Sequence, residues 1–511
     1  MPPKRPTPFS PASGPVTGSF NALHPKSNSL AVIVIRLVDS AKMSTIFLWN
    51  CGSESSKVAS MKDYKENPSA TSANWITRRQ SLGRMAAVGA ASFFPLVLPS
   101  RLFGQNAPSK QVNLLMLGCG RQAYHTNMPT LLAMPEVRIV AVCDVDRNRA
   151  AMSKKRVDEA YGNTDCKVFT DYREALEMPG LDAVMNSTTD HWHAITSLAA
   201  IRKGLHVSCE KPLTRYLTEG RLVADAAQKS GLVFRTDTEC RSNGYMTKLA
   251  DLAMNGYLGN LTRFEAGVPT DAGVGGGNPA PMPVPAHLDY DMWLGPAPWK
   301  EYTLDRVHPV ELTDRPGWMQ IQDYCEGMIS NWGTHLLDVA SLVNKSERTG
   351  PVSVEATGSS PPAKPGLGLW NVLVNFKVQY KYANGVVMDY FNKTPYLRVE
   401  GEEGWLQANW GSAGGFQASD PKLLRIKFKE SDTRVPTRGD KADFISAITK
   451  GTPVMCDAEV GHRTCSLGQI ARIAVQRGKP LEWNPDTEKF TNDEEANKLL
   501  VGTYRENFPL K

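Results

Sequence analysis

No apolar stretch in the 511 residues is long enough to span a bilayer. The run from Leu30 to Val38 falls well short of the roughly 20 residues that a crossing helix needs. The nine cysteines are scattered singly, with no C-x-x-C pair and no His/Cys spacing of a metal site. They read as buried thiols of a protein that folds in a reducing compartment, and no metal is expected. Basic residues form no stripe with interleaved aromatics, and much of the +6 net charge sits near the N-terminus, which argues against nucleic acid as a partner. What remains is ordinary globular composition, 41% hydrophobic and 22% charged, in a chain long enough for two domains and appendages.

Residues 1–76 are rich in Ser, Pro, Lys and Asn without a sustained period, so they read as a disordered extension or as sequence preceding the true start, for which Met61 is a candidate. Residues 77–109 form a second unit. Thr77-Arg78-Arg79-Gln80-Ser81-Leu82 precedes a weakly apolar, Ala/Gly-rich run from Met85 to Leu98. This resembles a twin-arginine export signal, which implies a periplasmic protein that crosses the membrane folded. Cleavage is expected between Ser100 and Asn106, leaving no transmembrane span, whereas an uncleaved signal leaves the protein tethered.

From residue 110 the pattern changes to alternating strands and helices. The apolar run Val112 to Leu117 suits a parallel strand buried on both faces. It enters Gly118-Cys119-Gly120-Arg121-Gln122-Ala123, a G-x-G-x-x-A turn. Gly118 permits the tight turn, Gly120 lets a pyrophosphate approach, and Ala123 holds the next helix close to the strand. A second strand, Val137 to Cys143, ends in Asp144, where a ribose-binding carboxylate belongs. Such a carboxylate favours NAD over NADP, with Arg147 and Arg149 near enough to soften the preference. Further strand ends follow at Ser187-Thr188-Thr189-Asp190 and at Glu210-Lys211-Pro212. A helix over 218–229 and a strand from Leu232 to Thr236 close this domain, set at 110–236.

These residues, with Cys143-Asp144, Thr189-Asp190-His191-Trp192-His193, Trp293-Leu294-Gly295-Pro296 and Asn331-Trp332-Gly333-Thr334-His335-Leu336-Leu337-Asp338, resemble the glucose–fructose oxidoreductase / inositol dehydrogenase (Gfo/Idh/MocA) family over roughly residues 110–511. The resemblance implies an α/β protein: a doubly wound parallel Rossmann sheet, then a C-terminal α+β domain (237–511) with an open, mostly antiparallel sheet. It implies hydride transfer between a sugar or polyol alcohol and NAD, with NADP as a lesser option, in a homo-oligomer. Lys211 would bind the reacting hydroxyl and His335 act as general base. Gly118, Gly120, Arg121, Gln122, Ala123, Asp144, Arg149, Thr188, Thr189, His193, Glu210, Lys211 and Pro212 would line the cofactor. The family's Asp-x-x-x-His motif is altered, because Asn331 replaces the Asp; it can orient an imidazole or bond a hydroxyl but holds no charge.

Two rival outcomes share these residues: a glycosidase that oxidises its sugar transiently and keeps its NAD, and a sugar- or nucleotide-binding protein without catalysis. A cis Lys211–Pro212 bond is expected at the strand end. Arg241, Trp293, Tyr324 and Trp332 are the substrate-binding candidates, and Trp318 is a further stacking candidate. A single helix would put Asn331, His335 and Asp338 on one face, with Asp338 in a structural role. The Gly/Pro-rich stretch 273–285 reads as a long loop, and Phe444 to Arg477 as largely helical.

Overall fold

A computed structural model describes residues 111–510, apart from positions 272, 274, 310, 313, 314, 361–365 and 411–414. The N-terminal extension and the Arg78-Arg79 signal lie outside the described residues. The first domain holds six parallel strands: β1 (Val112–Leu117), β2 (Val137–Cys143), β3 (Lys167–Phe169), β4 (Ala183–Asn186), β5 (His206–Glu210) and β6 (Phe234–Asp237). Their order is β3-β2-β1-β4-β5-β6. The direction of winding reverses between β1 and β4, which opens a crevice above their carboxyl ends. Alternate side chains of β1 explain its apolar run. Leu115 and Leu117 enter one core, Leu114 and Met116 the core on the opposite face.

The second domain is built on a nine-stranded sheet. It comprises β7 (Leu261–Val268), β8 (Ser353–Ser359), β9 (Val374–Lys381), β10 (Val387–Asn392), β11 (Tyr396–Gly401), β12 (Gly404–Asn409), β13 (Phe416–Ala418), β14 (Leu481–Asn484) and β15 (Lys489–Phe490). The order is β13-β12-β11-β7-β10-β9-β8-β14-β15, and the central β7–β10 pair is parallel while the other pairs are antiparallel. Strands β9 and β10 alternate core-facing and outward-facing side chains over much of their length. Phe376, Val378, Tyr380, Met388 and Tyr390 point into a core closed by the helices Gly244–Met254, Gly333–Val343 and Ala458–Arg477.

Two departures from the sequence expectations have local causes. The helical stretch expected from Phe444 to Arg477 is two helices, Asp440–Lys450 and Ala458–Arg477. Gly451, at φ 68°, ends the first, and the Asp457 side chain restarts the second by accepting the Val460 N–H. The helix bearing Asn331 is interrupted at Trp332, between Met328–Asn331 and Gly333–Val343. Asp338 has the structural role expected of it: it is fully buried and binds the side chains of Thr238 (2.7 Å) and Arg241.

Candidate active site

The crevice of the first domain meets the second in a cavity of about 360 Å³, lined by residues of both. The glycine turn forms its floor. Gly118 has φ +82°, and a Cβ there would lie 2.4 Å from the Ser187 carbonyl oxygen, so neither the conformation nor the space admits a side chain. A Cβ on Gly120 would meet nothing nearer than Arg149 Nη1 at 3.7 Å, which leaves this backbone open to an approaching phosphate. Ala123 is buried in the core beside β1 and does not line the cavity, so it is withdrawn from the expected cofactor-lining residues and only its packing role remains.

Asp144 stands at the end of β2, accepting the Cys119 N–H (2.6 Å) and the Asp146 N–H (2.8 Å). Burial pushes its carboxyl above the usual range, against those two N–H groups, Arg149 and His308. The carboxylate is thus tied to the glycine turn and turned to the cavity, the arrangement that suits ribose hydroxyls. Arg149 lines the cavity with its guanidinium donating to the Pro309 carbonyl (2.9 Å). Arg147 instead donates to the Ala286 carbonyl. Replacing Asp144 by Ser removes charge-assisted acceptors, so NAD binding is expected to weaken by about 10- to 100-fold. NADP binding should weaken less, and an unchanged NAD/NADP ratio in fluorescence titrations would count against ribose recognition here.

The ribose loop is also covered from outside. Arg147 N–H donates to the His287 carbonyl (2.9 Å) and Asp289 N–H to the Val145 carbonyl (3.0 Å). His308 bonds Asp146 at 3.0 Å. Residues 286–309 of the second domain therefore strap the β2 end of the crevice.

Thr188, Thr189, His193, Glu210 and Lys211 line the cavity, and the Lys211–Pro212 peptide is cis. His193 sets the spacing of two strand ends: its ring nitrogens lie 2.8 Å from the Pro212 carbonyl and 3.1 Å from that of Thr188. Pro212 itself stays off the cavity wall. Asn127 was not foreseen. It lies in a π-helical turn just after the glycine motif, where it donates to Glu210 and to Ser187, each at 2.9 Å. Such turns frequently mark functional sites.

Lys211 Nζ donates to Asn331 Oδ1 at 3.1 Å, which brings the two domains together over the glycine turn. His335 lines the same cavity, with its ring centroid 5.9 Å from Trp332 and 5.3 Å from Trp410. Burial, and then the charge of Lys211, hold the imidazole well below its ordinary pKa, so it is neutral. Its Nδ1 accepts the backbone N–H of Glu239 (3.4 Å).

Two of the four substrate-binding candidates do not reach the cavity. Arg241 is buried and bound to Asp338, Glu347 and the Met455 carbonyl. Tyr324 is fully buried among Trp293, His191 and Arg306. Their expected roles are withdrawn: internal partners saturate the guanidinium, and packing closes both faces of the ring. Trp293 contributes an edge to the cavity wall but packs chiefly on Tyr290 and Tyr324. Trp332 and Trp318 do line the cavity. Glu239, His308 and Trp410 also line it without having been expected, because each sits in a loop or at a helix edge where no periodic pattern announces it.

Arg121 and Gln122 open the helix after the glycine turn and complete the floor. The turn, the open Gly120 backbone and the Asp144 carboxylate fit a nicotinamide dinucleotide. Among the described residues no cluster of three or more His, Cys, Asp or Glu side chains could hold a metal ion, and no helix is long and apolar enough to cross a membrane.

Comparisons with known proteins agree with this geometry. Residues 112–238 match the model of an oxidoreductase family's NAD-binding Rossmann fold, and residues 269–510 match that family's C-terminal alpha/beta domain. The chain is 28% identical over 162 residues to dTDP-3,4-didehydro-2,6-dideoxy-alpha-D-glucose 3-reductase from Saccharopolyspora spinosa, covering 31% of this chain and 47% of that protein. It is 26% identical over 245 residues to a glycosyl hydrolase family 109 protein of Stenotrophomonas maltophilia, covering 46% and 51%. The chain thus spans about half the length of these curated relatives. The fold is similar to aldose-aldose oxidoreductase from Caulobacter crescentus complexed with glycerol, with a TM-score of 0.54 at 18% identity over 73% of this chain and 99% of that one. With both domain models matched in order and a dinucleotide cradle at their junction, the chain belongs to the Gfo/Idh/MocA family of NAD-binding oxidoreductases.

Proposed function

We propose that this protein moves hydride between a secondary alcohol of a sugar or polyol and NAD, outside the cytoplasm. The observation that carries the reading is the Lys211–Asn331 bond, which sets a lysine from one domain beside an imidazole from the other, above the glycine turn. Bound there, the dinucleotide supplies a nicotinamide ring that accepts or returns hydride. Lys211 donates a charge-assisted hydrogen bond to the alcohol oxygen and stabilises the negative charge that develops on it. His335, lining the same cavity, takes the hydroxyl proton as general base. Asn331 fixes the Lys211 ammonium, and Trp332 and Trp318 offer apolar faces to the C–H side of a sugar ring.

Incubation of the purified chain with NAD and a panel of sugars and polyols tests this. Free NADH should accumulate with an oxidised product two mass units lighter. If every member of the panel fails, the oxidoreductase reading falls.

The strap over the ribose loop favours a second outcome of the same chemistry, in which NAD stays bound. A sugar hydroxyl would be oxidised, the aglycone eliminated, and the hydride returned. Release of an aryl aglycone without net NADH identifies that outcome.

Two further proposals concern setting. Arg78-Arg79 and the apolar run after it support export through a twin-arginine route into the periplasm. The outer face of the nine-stranded sheet carries Arg263, Glu265, Lys377, Gln379, Arg398 and Gln407, with Arg398 lying 4.0 Å over the Trp405 ring. Such a broad, uncovered face supports a homo-oligomer.

A further inference from the structure

Arg315 lines the cavity, and the chemistry described so far gives it no part. It comes just before the Gly317–Gln320 turn that carries Trp318, and its side chain is 32% exposed. Its Nη1 and Nη2 lie 3.9 and 3.8 Å from the Met328 sulfur. Met328 opens the helix Met328–Asn331, and Asn331 at the other end of that helix accepts from Lys211. At about 1.5 Å of rise per residue, Met328 stands roughly one turn from Asn331. The guanidinium is therefore near the Lys211 end of the cavity, whereas Asp144, Arg149 and His308 form the ribose end.

This guanidinium is poorly supplied with acceptors. Among the described residues its ion-pair partner is Asp271, 3.0 Å from Nη2. A thioether is a weak acceptor, and the buried Nε has no hydrogen-bond partner. Asp271 is itself buried, its Oδ2 is also without a partner, and burial pushes its carboxyl above the usual range. Arg241 shows the contrast, since internal oxygens fill its guanidinium. Arg315 brings unfilled N–H groups to a wall it shares with Trp318. A half-buried cation in that state gains from an anionic ligand.

Resting on the oxidoreductase reading, we propose that Arg315 binds a carboxylate of the substrate, which makes the substrate a sugar acid. The planar guanidinium fork matches the two oxygens of a carboxylate. Asp271 offsets part of the cation's charge, which suits a singly charged carboxylate better than a doubly charged phosphate. The carboxylate takes no part in hydride transfer. Anchored at Arg315, it selects which secondary alcohol of the molecule reaches Lys211 and His335.

A matched panel tests the proposal: a hexose, its uronic and aldonic acids, and its phosphate ester, each assayed with NAD. In the wild type kcat/KM for the better acid should exceed that for the hexose by roughly 10- to 100-fold, the range of a charge-assisted bond. Arg315→Gln should remove most of that preference and Arg315→Lys should keep part of it, with melting curves showing that both variants fold. A wild type that prefers the neutral or the phosphorylated hexose overturns the proposal, as does a preference for acids that survives in Arg315→Gln. A second measurement needs no turnover: calorimetric titration of NADH into the protein, then of each acid into the complex. The acid's dissociation constant should rise roughly 10- to 100-fold in Arg315→Gln, with NADH bound as in the wild type. If the NADH affinity falls instead, Arg315 belongs to the cofactor and the proposal is overturned. If the wild type oxidises no member of the panel, the oxidoreductase reading fails and Arg315 stands on this titration alone. Acid binding that is lost in Arg315→Gln then supports it, and acid binding that is absent or unchanged overturns it.

Discussion

Lys211→Met is expected to lower kcat/KM by roughly 1,000-fold while NAD binds as before. Methionine nearly matches the length of the lysine stem, so the wall of the cavity is kept and only the ammonium is lost. That ammonium reaches from the end of β5 to Asn331 in the other domain. Without it, charge developing on the alcohol oxygen is met only by the neutral His335 ring. The cofactor contacts at Gly120 and Asp144 are untouched by the change. Steady-state rates with the best alcohol of the panel, beside fluorescence titration with NAD, read the two effects separately. Turnover within tenfold of the wild type would remove Lys211 from the chemistry.

Arg241→Met is expected to cost about 3–5 kcal/mol of stability and to leave KM unchanged in whatever folds. The guanidinium is buried against Asp338, which is itself fully buried and otherwise accepts only from the Thr238 hydroxyl and, weakly, the Cys456 thiol among the described side chains. Truncating the cation strands a carboxylate in the interior, which is the expensive way to break such a pair. Arg241→Met combined with Asp338→Leu should recover much of the loss, because neither charge is then left alone. Denaturant melts of the three proteins provide the comparison. A KM raised tenfold at full stability would return Arg241 to the substrate site.

The parts of the site that were legible in the sequence share one physical origin. Gly118, Asp144, Thr188 and Lys211 stand at the carboxyl ends of parallel strands, and the apolar runs of β1, β2, β4 and β5 mark where those strands stop. A doubly wound sheet gathers such ends without further information. His335 was legible only through a resemblance, since its helix is apolar on nearly every side and no periodicity singles it out. Glu239, His308 and Trp410 were not legible, because loops bring them to the cavity along paths fixed by tertiary packing. Arg241 and Tyr324 erred in the opposite direction. Each looks like a ligand-binding residue until its partner is known, and Asp338 lies 97 positions beyond Arg241. The same limit hid β7: its sequence, LTRFEAGV, alternates too weakly to announce the centre of a nine-stranded sheet.

The eight free cysteines of the described residues are all buried, and desolvation holds every one of them above its ordinary pKa. Thiolate, not thiol, attacks disulfides and oxidants, so these sulfurs are chemically silent once the chain has folded. A polypeptide delivered already folded to an oxidising space would keep them sealed, whereas one threaded through unfolded would expose all eight to mispairing. A chain that folds before it meets an oxidant therefore keeps all eight out of reach.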